Sequence, residues 1–125
     1  MKYNISKVVD IPYETAVQKV TDELKKEGFG ILTTVDLKET LKTKLGIEFP
    51  RYVILGACNP PLAHQALITD EEIGLFLPCN IIVYEKNGKT HISVFDPGVM
   101  SSFNPKIGPI ADSAREKLLR VVSAI

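Results

Sequence analysis

Four consecutive segments with strand character lie between two long amphipathic helical stretches, and that order limits the folds open to this chain. After Pro12, the residues Ala16, Val17, Val20 and Leu24 recur at spacings of three and four until Gly28 supplies a stop. A second helix is expected from Pro109, with Ile110, Ala114, Leu118, Val121, Val122 and Ile125 on one stripe and Arg115, Lys117 and Arg120 turned outward. Ahead of the first helix, Tyr3, Ile5, Val9 and Ile11 alternate with polar residues as in a strand with one buried face. The order β-α-β-β-β-β-α follows. It favours an α+β fold, an antiparallel sheet with the helices packed on one face, over a doubly wound parallel sheet.

The strands differ in character. Residues 30–35 are β-branched and apolar, and Asp36 is placed to cap a short helix through Lys44, ended by Gly46. Residues 51–57 are apolar on both faces through Tyr52, Val53, Ile54 and Leu55, which implies a central position. The longest apolar run, 75–84, joins 90–95 through Lys86-Asn87-Gly88-Lys89, the pattern of a β-hairpin. Pro78 cannot donate to a ladder, so that run should be an edge there, a bulge, or two shorter pieces. Residues 101–108, with Pro105, are expected to be an irregular loop.

With 125 residues, 45% hydrophobic and 24% charged, the chain suits one domain with a sizeable core. Fifteen basic and fifteen acidic residues cancel, so no net field would hold a nucleic acid or an acidic membrane surface. The N-terminus lacks the apolar segment of a signal peptide, and no run of eighteen apolar residues occurs. A cytoplasmic location is expected, with Cys58 and Cys79 as reduced thiols and any disulfide between them transient.

The concentrated polar chemistry is a pair of Cys-Asn dipeptides. In Gly56-Ala57-Cys58-Asn59-Pro60-Pro61 a strand hands over to a helix, with Asn59 as cap and Pro60 in the first turn. The positive end of that helix would lower the Cys58 pKa and favour an anion; as the plainer alternative, Cys58 is a small apolar residue packed at a strand end. Pro78-Cys79-Asn80 places an amide within the apolar run, where burial without a partner costs about 1–3 kcal/mol. Asn80 is therefore expected to bond backbone freed near Pro78, or a ligand. His64 and His91 lack metal-site spacing, and no metal or cofactor is assigned. No phosphate-binding glycine loop is present, and a Cys58, His64 and Asn80 triad could be judged only by geometry.

Leu55-Gly56-Ala57-Cys58-Asn59-Pro60, followed by Leu62-Ala63, Ala66-Leu67, Ile73-Gly74 and Leu77-Pro78-Cys79-Asn80-Ile81-Ile82-Val83-Tyr84-Glu85, resembles Domain of Unknown Function 302 over nearly the whole chain, including Asp96-Pro97. The resemblance implies a small α+β fold similar to the TATA-binding-protein-like architecture and a homodimer. It implies no settled activity and carries no DNA binding with it.

Three functions compete. In the first, Cys58, Asn59, Pro60, His64, Cys79, Asn80, Ser101 and Phe103 surround one pocket for a small ligand, anionic or sulfur-containing. In the second, Cys58 is a low-pKa nucleophile and Cys79 its resolving partner in redox or sulfur transfer. In the third, both Cys-Asn blocks shape the sheet of a dimeric interaction module without a ligand.

Overall fold

In the computed structural model, which describes residues 2–125, each strand lies antiparallel to its neighbours. The strands are β1 (Asn4–Val9), β2 (Gly30–Asp36), β3 (Tyr52–Cys58), β4 (Cys79–Lys86) and β5 (Lys89–Phe95), in the order β1-β5-β4-β3-β2. The helices are α1 (Tyr13–Lys26), α2 (Leu37–Leu45), α3 (Pro60–Thr69), α4 (Gly98–Phe103) and α5 (Gly108–Ser123). This is the α+β arrangement expected from the order of segments. Among the described residues no helix is long and apolar enough to cross a membrane.

Local chemistry sets the boundaries. The Asp36 carboxylate accepts the Glu39 N–H at 3.0 Å and starts α2, and Gly46 ends it at φ 66°. Asn87 and Gly88 both have positive φ, 54° and 74°, as the two-residue hairpin between β4 and β5 requires.

The core lies between one face of the sheet and the pair α1 and α5. Alternate residues of β3, β4 and β5, namely Val53, Leu55, Ile81, Val83, Ile92 and Val94, meet Ala16, Val20 and Leu24 of α1 and Leu118 and Val121 of α5. Each fully buried aliphatic side chain contributes about 1.5–3 kcal/mol of transfer free energy. A second cluster, built from Ala66, Ile73, Met100, Ile107 and Ala111, fills the end of the molecule beyond the first.

The structure takes one of the three forms expected at Pro78, two shorter pieces, and overturns the loop expected over residues 101–108. The apolar run 75–84 is not one strand: Glu71–Phe76 is a 3-10 helix begun by the Asp70 carboxylate accepting the Glu72 N–H, and β4 starts only after the cis Leu77–Pro78 bond. Pro78 therefore divides the run into two pieces, and β4 is the middle strand of the sheet. Residues 101–108 are helical and not irregular. The Asp96 carboxylate accepts the Gly98 N–H at 2.9 Å at the start of α4, the Asn104 side chain accepts the Lys106 N–H of a 3-10 turn over Pro105–Ile107, and α5 follows directly.

Candidate functional site

Each residue of Gly56-Ala57-Cys58-Asn59-Pro60 has its own physical task. A Cβ on Gly56 would lie 2.1 Å from Thr33 Oγ1 and 2.8 Å from Pro78 Cγ, so any side chain there would collide with both neighbouring segments. Ala57 is fully buried in the core. Asn59 accepts the Leu62 N–H at 3.3 Å, capping α3, while its Nδ2 donates to the Glu27 carbonyl at the end of α1 at 3.2 Å. Gly28, at φ 82°, lets the chain leave α1 with no Cβ against that amide. Pro60 occupies the first turn of α3, as expected.

Leu77-Pro78-Cys79-Asn80 is built differently. Cys79 pairs in register with Ala57, so the two side chains share the core face, and Cys58 stands one residue beyond that pair on the adjacent strand. Asn80 pairs with Gly56 on the opposite face and is exposed. The expected buried amide is thus not found. Strand alternation turns Asn80 away from the helices, and water can meet its hydrogen bonds.

Cys58, Asn59 and Cys79 line one small cleft with about 30 Å³ of free space, partly open to solvent. Its other walls are apolar and include Phe29, Leu62, Ala66, Leu77, Met100 and Ile110. Asn59 brings the one amide side chain to the lining, and the bonds to Glu27 and Leu62 already engage it. Both cysteines are free thiols. Burial pushes the Cys58 thiol up from its ordinary value, opposite to the lowering expected from a helix N-terminus. The hydrocarbon walls withhold water from the thiolate, and that decides the sign. Burial pushes Cys79 further, up to about 11, and the nearby charge of an ionised Cys58 adds to it.

The remaining expected site residues lie elsewhere. Pro60 and His64 are exposed on α3, outside the cleft lining. The Ser101 hydroxyl donates to the Gly98 carbonyl at 2.7 Å within α4. Phe103 is exposed and leans on Phe76, with ring centroids 5.4 Å apart. Cys58, His64 and Asn80 do not form a shared site: the cleft holds the cysteine alone, the histidine is on the surface, and the amide faces away. Among the described residues no three His, Cys, Asp or Glu side chains gather to hold a metal ion.

Sequence reasoning passed over Phe29, Leu77, Met100 and Ile110 as cleft walls, and no local pattern marks them because they come from four separated segments. It also passed over Asp96 as more than a strand terminator. The Asp96 side chain, only 13% exposed, accepts from the Arg115 Nε at 3.0 Å and ties the end of β5 to α5.

A family model, Domain of unknown function DUF302, matches residues 5–125. The chain belongs to the DUF302 family. Among solved structures, it is similar to an uncharacterized conserved protein DUF302 from Bacillus stearothermophilus, with 29% identity over 98% of each chain and a TM-score of 0.91. No curated protein matches. The DUF302 fold thus extends across the chain, with both Cys-Asn blocks inside the matched region.

Proposed function

We propose that this DUF302 chain is a binding module for a small ligand, held in the cleft that Cys58, Asn59 and Cys79 share. The supporting observation is that apolar cleft, which two separated sequence blocks line at the meeting of β3, β4, α3 and α5. Carbon and sulfur walls suit a compact apolar body, and the start of α3 offers an anionic or sulfur-containing end the favourable side of a helix dipole. A reducing, cytoplasmic setting is part of this reading, because it keeps both thiols free.

Methanethiol and sulfite, each of only a few heavy atoms, are suitable probes for so small a space, read by thermal melting of the purified chain. Saturation of a hundredfold over Kd stabilises a folded protein by about 2.7 kcal/mol. At least one probe is expected to raise the melting temperature of the wild type and of Asn80→Ala, whose side chain faces away from the cleft. Ala63→Phe, which fills the cleft from α3, should lose the rise. No rise with either probe, or an undiminished rise in Ala63→Phe, would remove the proposal.

Thiol transfer is the weaker reading, since burial raises both thiols and leaves Cys58 without the low pKa an attacking thiolate needs. A purely structural reading accounts for Asn59, which joins two helices, but gives no role to the cleft.

A further inference from the structure

Three sulfur-bearing residues meet at the cleft. Cys58 closes β3, Cys79 opens β4 and Met100 lies in α4, and all three belong to the same lining. Strand register accounts for the first two. Ala57 pairs with Cys79, so Cys58 is one residue from that pair, and ladder spacing puts the two cysteine backbones roughly 6 Å apart. The charge of an ionised Cys58 is felt at the Cys79 thiol, as two sulfurs beside one space require. Met100 is buried and arrives from a third segment, where the Asp96 carboxylate, accepting the Gly98 N–H at 2.9 Å, starts α4. The rest of the lining is as telling. It contains no His, Asp or Glu, and the Asn59 amide is committed to Glu27 and Leu62. The free space, about 30 Å³, admits a body or two of water's size.

We infer that the cleft is a site for a single soft monovalent metal ion, Cu(I), held by the thiolates of Cys58 and Cys79 and the thioether of Met100. Thiolate and thioether donors select Cu(I), which is satisfied by two or three sulfurs. Magnesium and calcium ask for a shell of oxygens, and structural zinc for a full tetrahedron of cysteine, histidine or carboxylate ligands, none of which this lining supplies. Spacing of His and Cys could not reveal such a site, since its third donor is a methionine. On binding, two S–H bonds break and two S–Cu bonds form; both protons leave to solvent and the copper stays in the +1 state. Apolar walls penalise a bare thiolate far more than one paired with a cation, so the burial that keeps both thiols protonated also favours the metal-bound pair. The complex retains one net negative charge, which Cys58, the less buried thiol, shares with water. The inference deepens the ligand reading and rests on it in one respect, that the cleft admits an occupant.

Competition with bicinchoninate, a chromophoric Cu(I) chelator, tests the inference on the reduced full chain under nitrogen. The wild type is expected to withdraw about one Cu(I) per chain and to leave Zn(II) with an indicator of matched strength. Cys58→Ser and Cys79→Ser should lose that uptake. Met100→Leu keeps the volume and removes the sulfur, so it should fold with unchanged circular dichroism. Its Cu(I) affinity should fall at least about tenfold, the scale at which even outer partners of a metal are felt. Should Cys79→Ser fail to fold, Met100→Leu and the partly exposed Cys58→Ser decide. A wild type that takes no Cu(I), a folded Cys58→Ser or Met100→Leu with wild-type affinity, or Zn(II) bound as tightly as Cu(I), would overturn the inference. Melting with methanethiol and sulfite is done without metal, so the two readings fail separately. Cu(I) uptake without a probe response removes the small-molecule reading alone, and a probe response without Cu(I) uptake removes this inference alone.

Discussion

Cys58-Asn59 and Cys79-Asn80 are the same dipeptide with opposite fates. In the first the amide is buried and engaged at both ends, while the thiol is only partly covered; in the second the thiol is buried and the amide faces solvent. The difference comes from position along a strand. Cys58 closes β3 and Asn59 must turn the chain into α3, so the amide serves backbone N–H and carbonyl groups. Cys79 opens β4, where simple alternation sends one side chain to the helices and the next to the open face. A short motif therefore acquires its chemistry from the element it begins or ends.

The largest expected effect that would sharpen this contrast is at the two amides. Asn59→Ala removes a cap and leaves the Glu27 carbonyl short of a donor, a loss of about 2–3 kcal/mol, whereas Asn80→Ala should fall within about 0.5 kcal/mol of wild type. Urea denaturation measures both, and equal losses would break the comparison. Next comes alkaline pH. Cys79 has its pKa raised from 9.0 to about 11 in the folded state, so the folded chain holds a proton that the unfolded chain releases, and stability falls as pH rises through that window. The expected loss is about 2 kcal/mol, visible in urea midpoints between pH 9 and 11 and reduced in Cys79→Ala; a variant with the wild-type slope would assign the loss to other groups. The smallest effect is kinetic. Iodoacetamide should modify Cys58 about tenfold faster than Cys79 in the native protein, since Cys58 is the less buried thiol; peptide mass spectrometry reads the ratio, and equal rates would contradict the placement.

Much of the fold was legible because its strands and long helices bury single, periodic faces. The stripe Ala16, Val20 and Leu24 and the alternation through β1 define α1 and one buried side of the first strand without tertiary knowledge. The sequence was least legible where short elements depend on side-chain caps. Gly98–Phe103 has too few turns to show a period, and its start depends on Asp96, two residues outside it. Leu75 and Phe76 are apolar enough to pass for strand, yet Asp70 starts a tight helix through them. Asn80 misled for a related reason: an apolar run with both faces alike suggests burial of every member, and one side of this sheet is uncovered by the chain itself. At the site, the paired blocks pointed to Cys58, Asn59 and Cys79, but the sign of the Cys58 shift depended on walls from distant segments.

The strand order also has a kinetic side. β4 and β5 meet across the two-residue turn Asn87-Gly88, whereas β1 reaches β5 through pairs from Asn4–Phe95 to Val9–Thr90. Chain entropy opposes that last closure most, because residues 10–88 lie in its loop, far more than in any other strand pairing of the sheet. The meander from β2 to β5 is thus the part of the sheet with the shorter search, and β1 is the strand whose arrival completes it.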